Sequence, residues 1–149
     1  MLEIAPDLLV KIQNQGEKAY PEEGAGFLLG VDGEIRRVLS LLPLPNARES
    51  EARHNRYIIT PQDYLAGEEE ADRLKLLLLG VFHSHPDHPN QPSEYDLEWA
   101  QPFFSYIITN IQSGRAISSR SWRLLEDRSA FVEEPVSIGI STSPVKKGK

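Results

Sequence analysis

The chain has 149 residues, enough for one domain, and no cysteine, so disulfides and thiolate metal sites play no part in it. Its 22 acidic residues outnumber 16 basic ones for a net charge of −6, which argues against a general nucleic-acid binder because phosphate contacts need a basic face. The N-terminus lacks the charged start and apolar core of a signal peptide, and no apolar run approaches the roughly 20 residues that span a bilayer. The expected setting is the cytoplasm, with no membrane contact.

Ile4, Leu8 and Ile12 recur at four-residue spacing, with Pro6 near the start and Gly16 near the end, and predict an amphipathic helix. Residues 26–31 and 34–42 read as two strands joined by an Asp32-Gly33 hairpin turn. Pro43, Pro45 and Asn46 then begin an irregular loop that ends at a strand over Tyr57, Ile58 and Ile59. Arg36, Arg37, Arg48, Arg53 and Arg56 gather before the next helix, and Glu68, Glu69 and Glu70 crowd within it; solvated surface is expected for both groups. His54 has no partner at ligand spacing and is expected at the surface. Thr60-Pro61-Gln62-Asp63 starts the second helix, with Thr60 as cap and Pro61 at the first helical position.

Residues 75–82 form a short apolar run, the pattern of a buried strand that continues into His83-Ser84-His85. Side chains two apart on a strand share a face, so His83 and His85 point one way and Ser84 the other. Their Cα atoms would lie roughly 6–7 Å apart, and two imidazoles could then converge on one ion at about 2.0–2.1 Å. Pro86, Pro89 and Pro92 end the strand and force a reversal. Ser93 then opens a helical segment that runs toward Ala100. Ser93-Glu94-Tyr95-Asp96 carries two meanings: a capping box, or a carboxylate returned to the histidine pair as a third donor, leaving a fourth tetrahedral position for water. His88, between Asp87 and Pro89, is expected to be solvent-exposed. No Gly-x-Ser-x-Gly nucleophile elbow accompanies these residues, which argues against a serine hydrolase.

Residues 103–111 and 115–125 read as strands joined at Gln112-Ser113-Gly114, with Trp122 packed in or over the sheet. The expected fold class is α/β: a single mixed sheet flanked by helices over residues 1–135, followed over residues 136–149 by an edge segment and a disordered tail ending in Lys146-Lys147-Gly148-Lys149.

His83-Ser84-His85-Pro86, a short loop and Ser93-x-x-Asp96 together resemble the signature of the JAMM (MPN-plus) metalloproteases, also called JAB domains. That family carries an upstream glutamate in a Glu-x-Cys/Ala-Gly setting. Here residues 21–30 supply it, with Glu23 in register, Glu22 expected to be solvated, and Ala25 where many members have cysteine. The resemblance covers nearly the whole chain. Through residues 105–108, 121–124 and 131–135 it is similar to the small bacterial branch that works beside ubiquitin-like sulfur-carrier proteins.

The resemblance implies a JAMM/MPN sandwich of cytidine-deaminase-like architecture holding one Zn2+ ion on His83, His85 and Asp96. A metal there would lower the pKa of bound water toward about 7. Glu23 would act as general base, and Ser93 would donate to the oxyanion, a contact worth roughly 2.7–4 kcal/mol in other hydrolases. The implied reaction is hydrolysis of an amide bond after the C-terminal Gly-Gly tail of a ubiquitin-like sulfur carrier, the expected partner; a nucleic acid is not expected. An extended tail could be taken up as an added strand on a sheet edge beside the metal. Two alternatives stand beside this: a non-catalytic MPN-type protein-binding scaffold, whose members typically lack motif residues, and a JAMM-type peptidase acting on a cell-wall or other peptide.

Overall fold

The computed structural model describes residues 1–44 and 59–139. In chain order the elements are β1 (Leu2–Ile4), α1 (Pro6–Ala19), β2 (Ala25–Val31), β3 (Arg36–Pro43), α2 (Pro61–Leu74), β4 (Leu77–Pro86), α3 (Glu94–Trp99), β5 (Ser105–Gln112), β6 (Arg115–Leu124), β7 (Phe131–Glu134) and β8 (Val136–Ile138). The strands make one sheet in the order β7-β6-β5-β4-β2-β3-β1-β8. Strand β4 runs parallel to β5, and β1 runs parallel to both β3 and β8; the other neighbours are antiparallel.

Strand alternation divides the core into two layers. Leu8 and Ile12 of α1 pack on Leu28, Val38, Leu79 and Phe82, on one face of the sheet. Ala71 of α2 and Leu97 of α3 pack with Phe27, Leu29, Leu78, Val81 and Tyr106 on the other. In β4 the register slips, with Leu28 opposite Gly80 but Leu29 opposite Leu78. The extra residue, Leu79, is a bulge, which is why Leu78 and Val81 share a face although they stand three apart. Gly80 permits the tight approach of β5, since a Cβ there would lie 1.9 Å from the Ser105 carbonyl oxygen.

Several expectations change. Ile4 belongs to β1, not to the first helix: it is fully buried in a three-residue strand, too short for alternation to announce it, and its spacing from Leu8 is coincidental. Gly16 does not end α1, which continues to Ala19. A Cβ at Gly16 would meet Ile111 Cδ1 at 2.9 Å and Ser84 Cβ at 3.1 Å, so the missing side chain lets the helix lie close against β4 and β5. The β2–β3 connection spans residues 32–35 instead of a two-residue turn. There Asp32 accepts bonds from the Gly33 N–H and from Arg36 at 3.1 and 3.2 Å.

Arg36 is not solvated. It is 3% exposed, donates to the Leu79 and Phe103 carbonyls and to Ser105 Oγ, and stacks over Phe103 with its Cζ 4.6 Å from the ring centre. A guanidinium with that many acceptors can be buried without an orphaned donor. Arg37 stays exposed and pairs with Glu3 at 2.8 Å. Glu68 and Glu69 are exposed, while Glu70 is half-buried and bonds Arg73. Ile59 lies outside any strand and packs against the core layer of α2 and α3. Arg48, Arg53, His54, Arg56, Tyr57, Ile58 and the lysine-bearing tail fall outside the described residues.

Strand β5 begins at Ser105, two residues later than the sequence suggests, because Phe103 lies under Arg36 and Phe104 turns into the core. The β5–β6 turn has Ser113 at φ 49° and Gly114 at φ 85°, the two positive values that suit a tight hairpin. Val136–Ile138 forms the sheet's last strand, paired with β1. Among the described residues, no helix is long and apolar enough to cross a membrane.

Candidate metal centre

The end of β4 puts His83 and His85 on the face covered by α3 and turns Ser84 toward α1. Ser84 ties down the segment ahead of β2: its backbone N–H donates to the Gly24 carbonyl at 3.1 Å, and its Oγ accepts the Gly24 N–H at 2.8 Å. Ala25 pairs with His83, so continuing that antiparallel register by two residues sets Glu23 opposite His85. Glu23 is 6% exposed, and its charge favours the protonated form of His85. Glu22 is half-buried rather than solvated.

Asp96 reaches the histidines from α3. Ser93 caps that helix: its Oγ accepts the Asp96 N–H at 3.1 Å, and its own N–H donates to Asp96 Oδ2 at 2.8 Å. The same carboxylate faces the strand, with Oδ1 3.6 Å from His83 Nε2 and Oδ2 3.3 Å from His85 Nε2. One side chain therefore completes the capping box and faces both histidines.

The ligand atoms of His83, His85 and Asp96 lie within 4.8 Å of one another, and all three residues are buried. Two donors held at about 2.0–2.1 Å in a tetrahedral shell stand roughly 3.3–3.4 Å apart, close to the two spacings found here. The electrostatics suit a cation as well. Burial drives His83 down to about 4, so its imidazole is neutral at neutral pH. Burial alone would raise Asp96, but the facing His83, the His85 contact and the Ser93 N–H hold it well below the usual carboxylate range. Burial also opposes the charged form of His85, yet the Asp96 carboxylate, the Pro89 carbonyl and Glu23 together raise it. The His85 Nδ1 lies 2.7 Å from the Pro89 carbonyl oxygen, which can only accept, so Nδ1 carries the proton and Nε2 is left to face Asp96. This set of two imidazoles and one carboxylate fits a single zinc ion with a position left open.

Ser93 is exposed, and its Oγ accepts the Asp96 N–H. Clefts flank α3 on both sides. One, of about 330 Å³, is lined by Ser93, Leu97, Trp122 and Phe131; the other, of about 410 Å³, by Tyr64, Tyr95, Trp99 and Tyr106. The strand that carries the histidines is internal, between β2 and β5, and the sheet's edges are β7 and β8. Among the described residues, therefore, neither edge strand of the sheet carries a metal-ligand candidate.

His88 is half-buried, not exposed. Its ring stacks on His85 at 4.3 Å because the loop folds back at Asp87, whose φ is 60°. Sequence reasoning also overlooks Asn90, a buried residue that reads as an ordinary loop polar among prolines. Trp122 lies over the sheet as expected, and its Nε1–H donates to the Asn90 carbonyl at 3.1 Å.

Residues 5–125 match the family model described as prokaryotic homologs of the JAB domain. A Thermus thermophilus protein named "Probable TtuB-protein conjugate cleaving protease" is 33% identical over 96 residues, spanning 64% of this chain and 61% of that protein's length. The "CysO-cysteine peptidase" of Mycobacterium tuberculosis is 25% identical over 139 residues, covering 93% of this chain and 91% of its own. A solution structure from Salinibacter ruber superposes with a TM-score of 0.73 at 41% identity, covering 92% of this chain and 91% of that one. By that match over most of its length, the chain belongs to the prokaryotic JAB-domain family.

Proposed function

We propose that this protein is a zinc metallopeptidase that hydrolyses the amide bond following the C-terminal Gly-Gly tail of a ubiquitin-like sulfur carrier. The observation that carries this reading is the buried triangle of His83, His85 and Asp96, all ligand atoms within 4.8 Å, beside a buried Glu23. The relatives named for cleaving TtuB conjugates and CysO-cysteine support the substrate class. An intact donor set argues against a purely scaffolding role.

Zinc bound to these three residues would supply a Lewis acid that makes water a nucleophile at neutral pH. Glu23 takes the proton from the attacking water and returns it to the leaving amine. The water oxygen adds to the scissile carbonyl carbon, the C–N bond breaks, and the products are the carrier's terminal carboxylate and a free amine. Ser93 donates its hydroxyl hydrogen to the carbonyl oxygen as that atom gains charge. Asp96 stays ionised at neutral pH, and His85 is held in one tautomer by Pro89, so neither has to reorganise during the reaction. Glycine on the acyl side suits the setting, because a chain without side chains can bring its carbonyl to a recessed centre. Cytoplasmic residence belongs to the same proposal.

Carrier proteins bearing short C-terminal extensions, incubated with the zinc-loaded protein and weighed by mass spectrometry, test the reading. A carrier ending at Gly-Gly, together with the freed extension, is the expected product pair. Intact fusions, or cuts elsewhere in the chain, would overturn it.

A further inference from the structure

The loop between the two halves of the metal centre, residues 87–92, is fastened to the β5–β6 hairpin at Asp87, His88 and Asn90. The Asp87 N–H donates to the Ile111 carbonyl at 2.6 Å, and Asp87 Oδ1 accepts the Ser113 N–H at 2.8 Å. Asn110 Nδ2 donates to the His88 carbonyl at 2.5 Å. Asn90 is 6% exposed; its Nδ2 donates to the Ser118 carbonyl at 3.1 Å and to Ser118 Oγ at 2.8 Å, while its own carbonyl accepts from Trp122. One residue earlier, the Pro89 carbonyl takes the proton of His85 Nδ1.

We propose that Asn90, clasped by Ser118 and Trp122, is a positioning residue for His85: it fixes the Pro89 carbonyl, and through it the tautomer and direction of the imidazole. The peptide unit between residues 89 and 90 contains the Pro89 carbonyl, so fixing Asn90 on both its side-chain amide and its backbone carbonyl leaves that unit little freedom to rotate. Proline at 89 adds a locked φ. Hydrogen bonds of the His85 kind set which ring nitrogen is free to bind metal, and the carbonyl, being backbone, cannot be tuned by its own side chain. Sequence position 90 is thus where the chain controls a bond made by position 89. The stacked His88 ring closes one face of the same imidazole.

This inference rests on the metal-centre reading, and the test separates the two. Zinc affinity of the full chain is measured by competition with a chromogenic chelator, and the His85 Nδ1–H is followed by proton–nitrogen NMR in metal-free protein. Wild type is compared with Asn90→Ala and with Trp122→Phe, which keeps an aromatic ring but lacks the donor. For Asn90→Ala, zinc binding should weaken by about 10–100-fold, the usual effect of losing an outer partner of a ligating histidine, and the Nδ1–H signal should fade into exchange. Trp122→Phe should move both readouts in the same direction by less, and it carries the test if Asn90→Ala fails to fold. A residue that only braces the loop would lower the melting temperature while leaving both readouts alone; zinc affinity within about twofold of wild type and a retained Nδ1–H signal would overturn the proposal. Should wild type bind no zinc, the metal reading falls, and the Nδ1–H signal alone still decides whether Asn90 positions His85.

Discussion

Asp96 Oδ2 stands 3.3 Å from His85 Nε2 while it accepts the backbone N–H of Ser93 at 2.8 Å. One oxygen therefore caps the start of a helix and faces a strand, so the cap that forms α3 also aims the carboxylate. The two roles can be separated by chemistry.

Asp96→Asn keeps an oxygen able to accept the Ser93 N–H but loses the charge. It should lose the stability that the ionised carboxylate gains from its partners but keep the capping bond, and it should bind no zinc at stoichiometric concentration. Asp96→Ala should lose zinc as well, together with about 1 kcal/mol from the broken capping box. Metal analysis paired with denaturation curves reads both effects.

Glu23→Gln should behave in the opposite way. Since Glu23 lies outside the three-donor group, zinc should bind with nearly unchanged affinity while kcat falls by roughly 10²–10⁴-fold, the range for loss of a general base. Loss of zinc together with activity would make Glu23 a ligand instead.

Ser93 and Thr60 form a natural pair. Both cap helices in reciprocal boxes with an aspartate at N3, at 2.8 and 3.1 Å for Ser93 and 2.9 and 3.1 Å for Thr60. Alanine at either position should cost about 0.5–2 kcal/mol. Only Ser93→Ala should also lower kcat, by about 10²–10³-fold, if its hydroxyl serves the carbonyl oxygen. Equal kinetic effects from the two variants would reduce Ser93 to a cap.

Acid should weaken the metal-free protein. Burial lowers His83 to about 4 from 6.5, so between those values the unfolded chain binds more protons than the folded one, and stability rises with pH across that window. His85 is raised and acts in the other sense: its contribution is full below 6.5 and fades as pH climbs through its folded value. Urea midpoints from pH 4 to 6.5 should therefore increase in wild type and increase less in His83→Gln. A steeper increase in the variant would contradict the assignment.

How far the sequence alone carries depends on the range of the interaction. The shared face of His83 and His85 is legible because strand period is local, and the start of α3 is legible because a cap needs only four residues. The proline-rich reversal between them is legible too, since Pro86, Pro89 and Pro92 each remove a backbone donor. What the sequence hides is set by partners far along the chain. Ile4 becomes a strand residue through pairing with Val38 and Ile138. Arg36 is buried because acceptors from residues 79, 103 and 105 converge on it. Asn90 depends on Ser118 and Trp122, about thirty positions on, and no local pattern marks it. His88 is stacked rather than exposed for the same reason, because Asn110 draws its carbonyl inward. Gly16 misleads in another way: glycine commonly ends helices, but here it serves a close helix-to-sheet contact.

In the proposed reaction, one zinc ion on His83, His85 and Asp96 drives the cleavage. The most direct measurement is a titration of zinc into metal-free protein while release of a C-terminal extension from a diglycine-tailed carrier is followed. Activity should be absent without metal, rise linearly, and level off at one ion per chain. Cleavage that persists in the fully stripped protein, or a plateau unrelated to zinc occupancy, would contradict it.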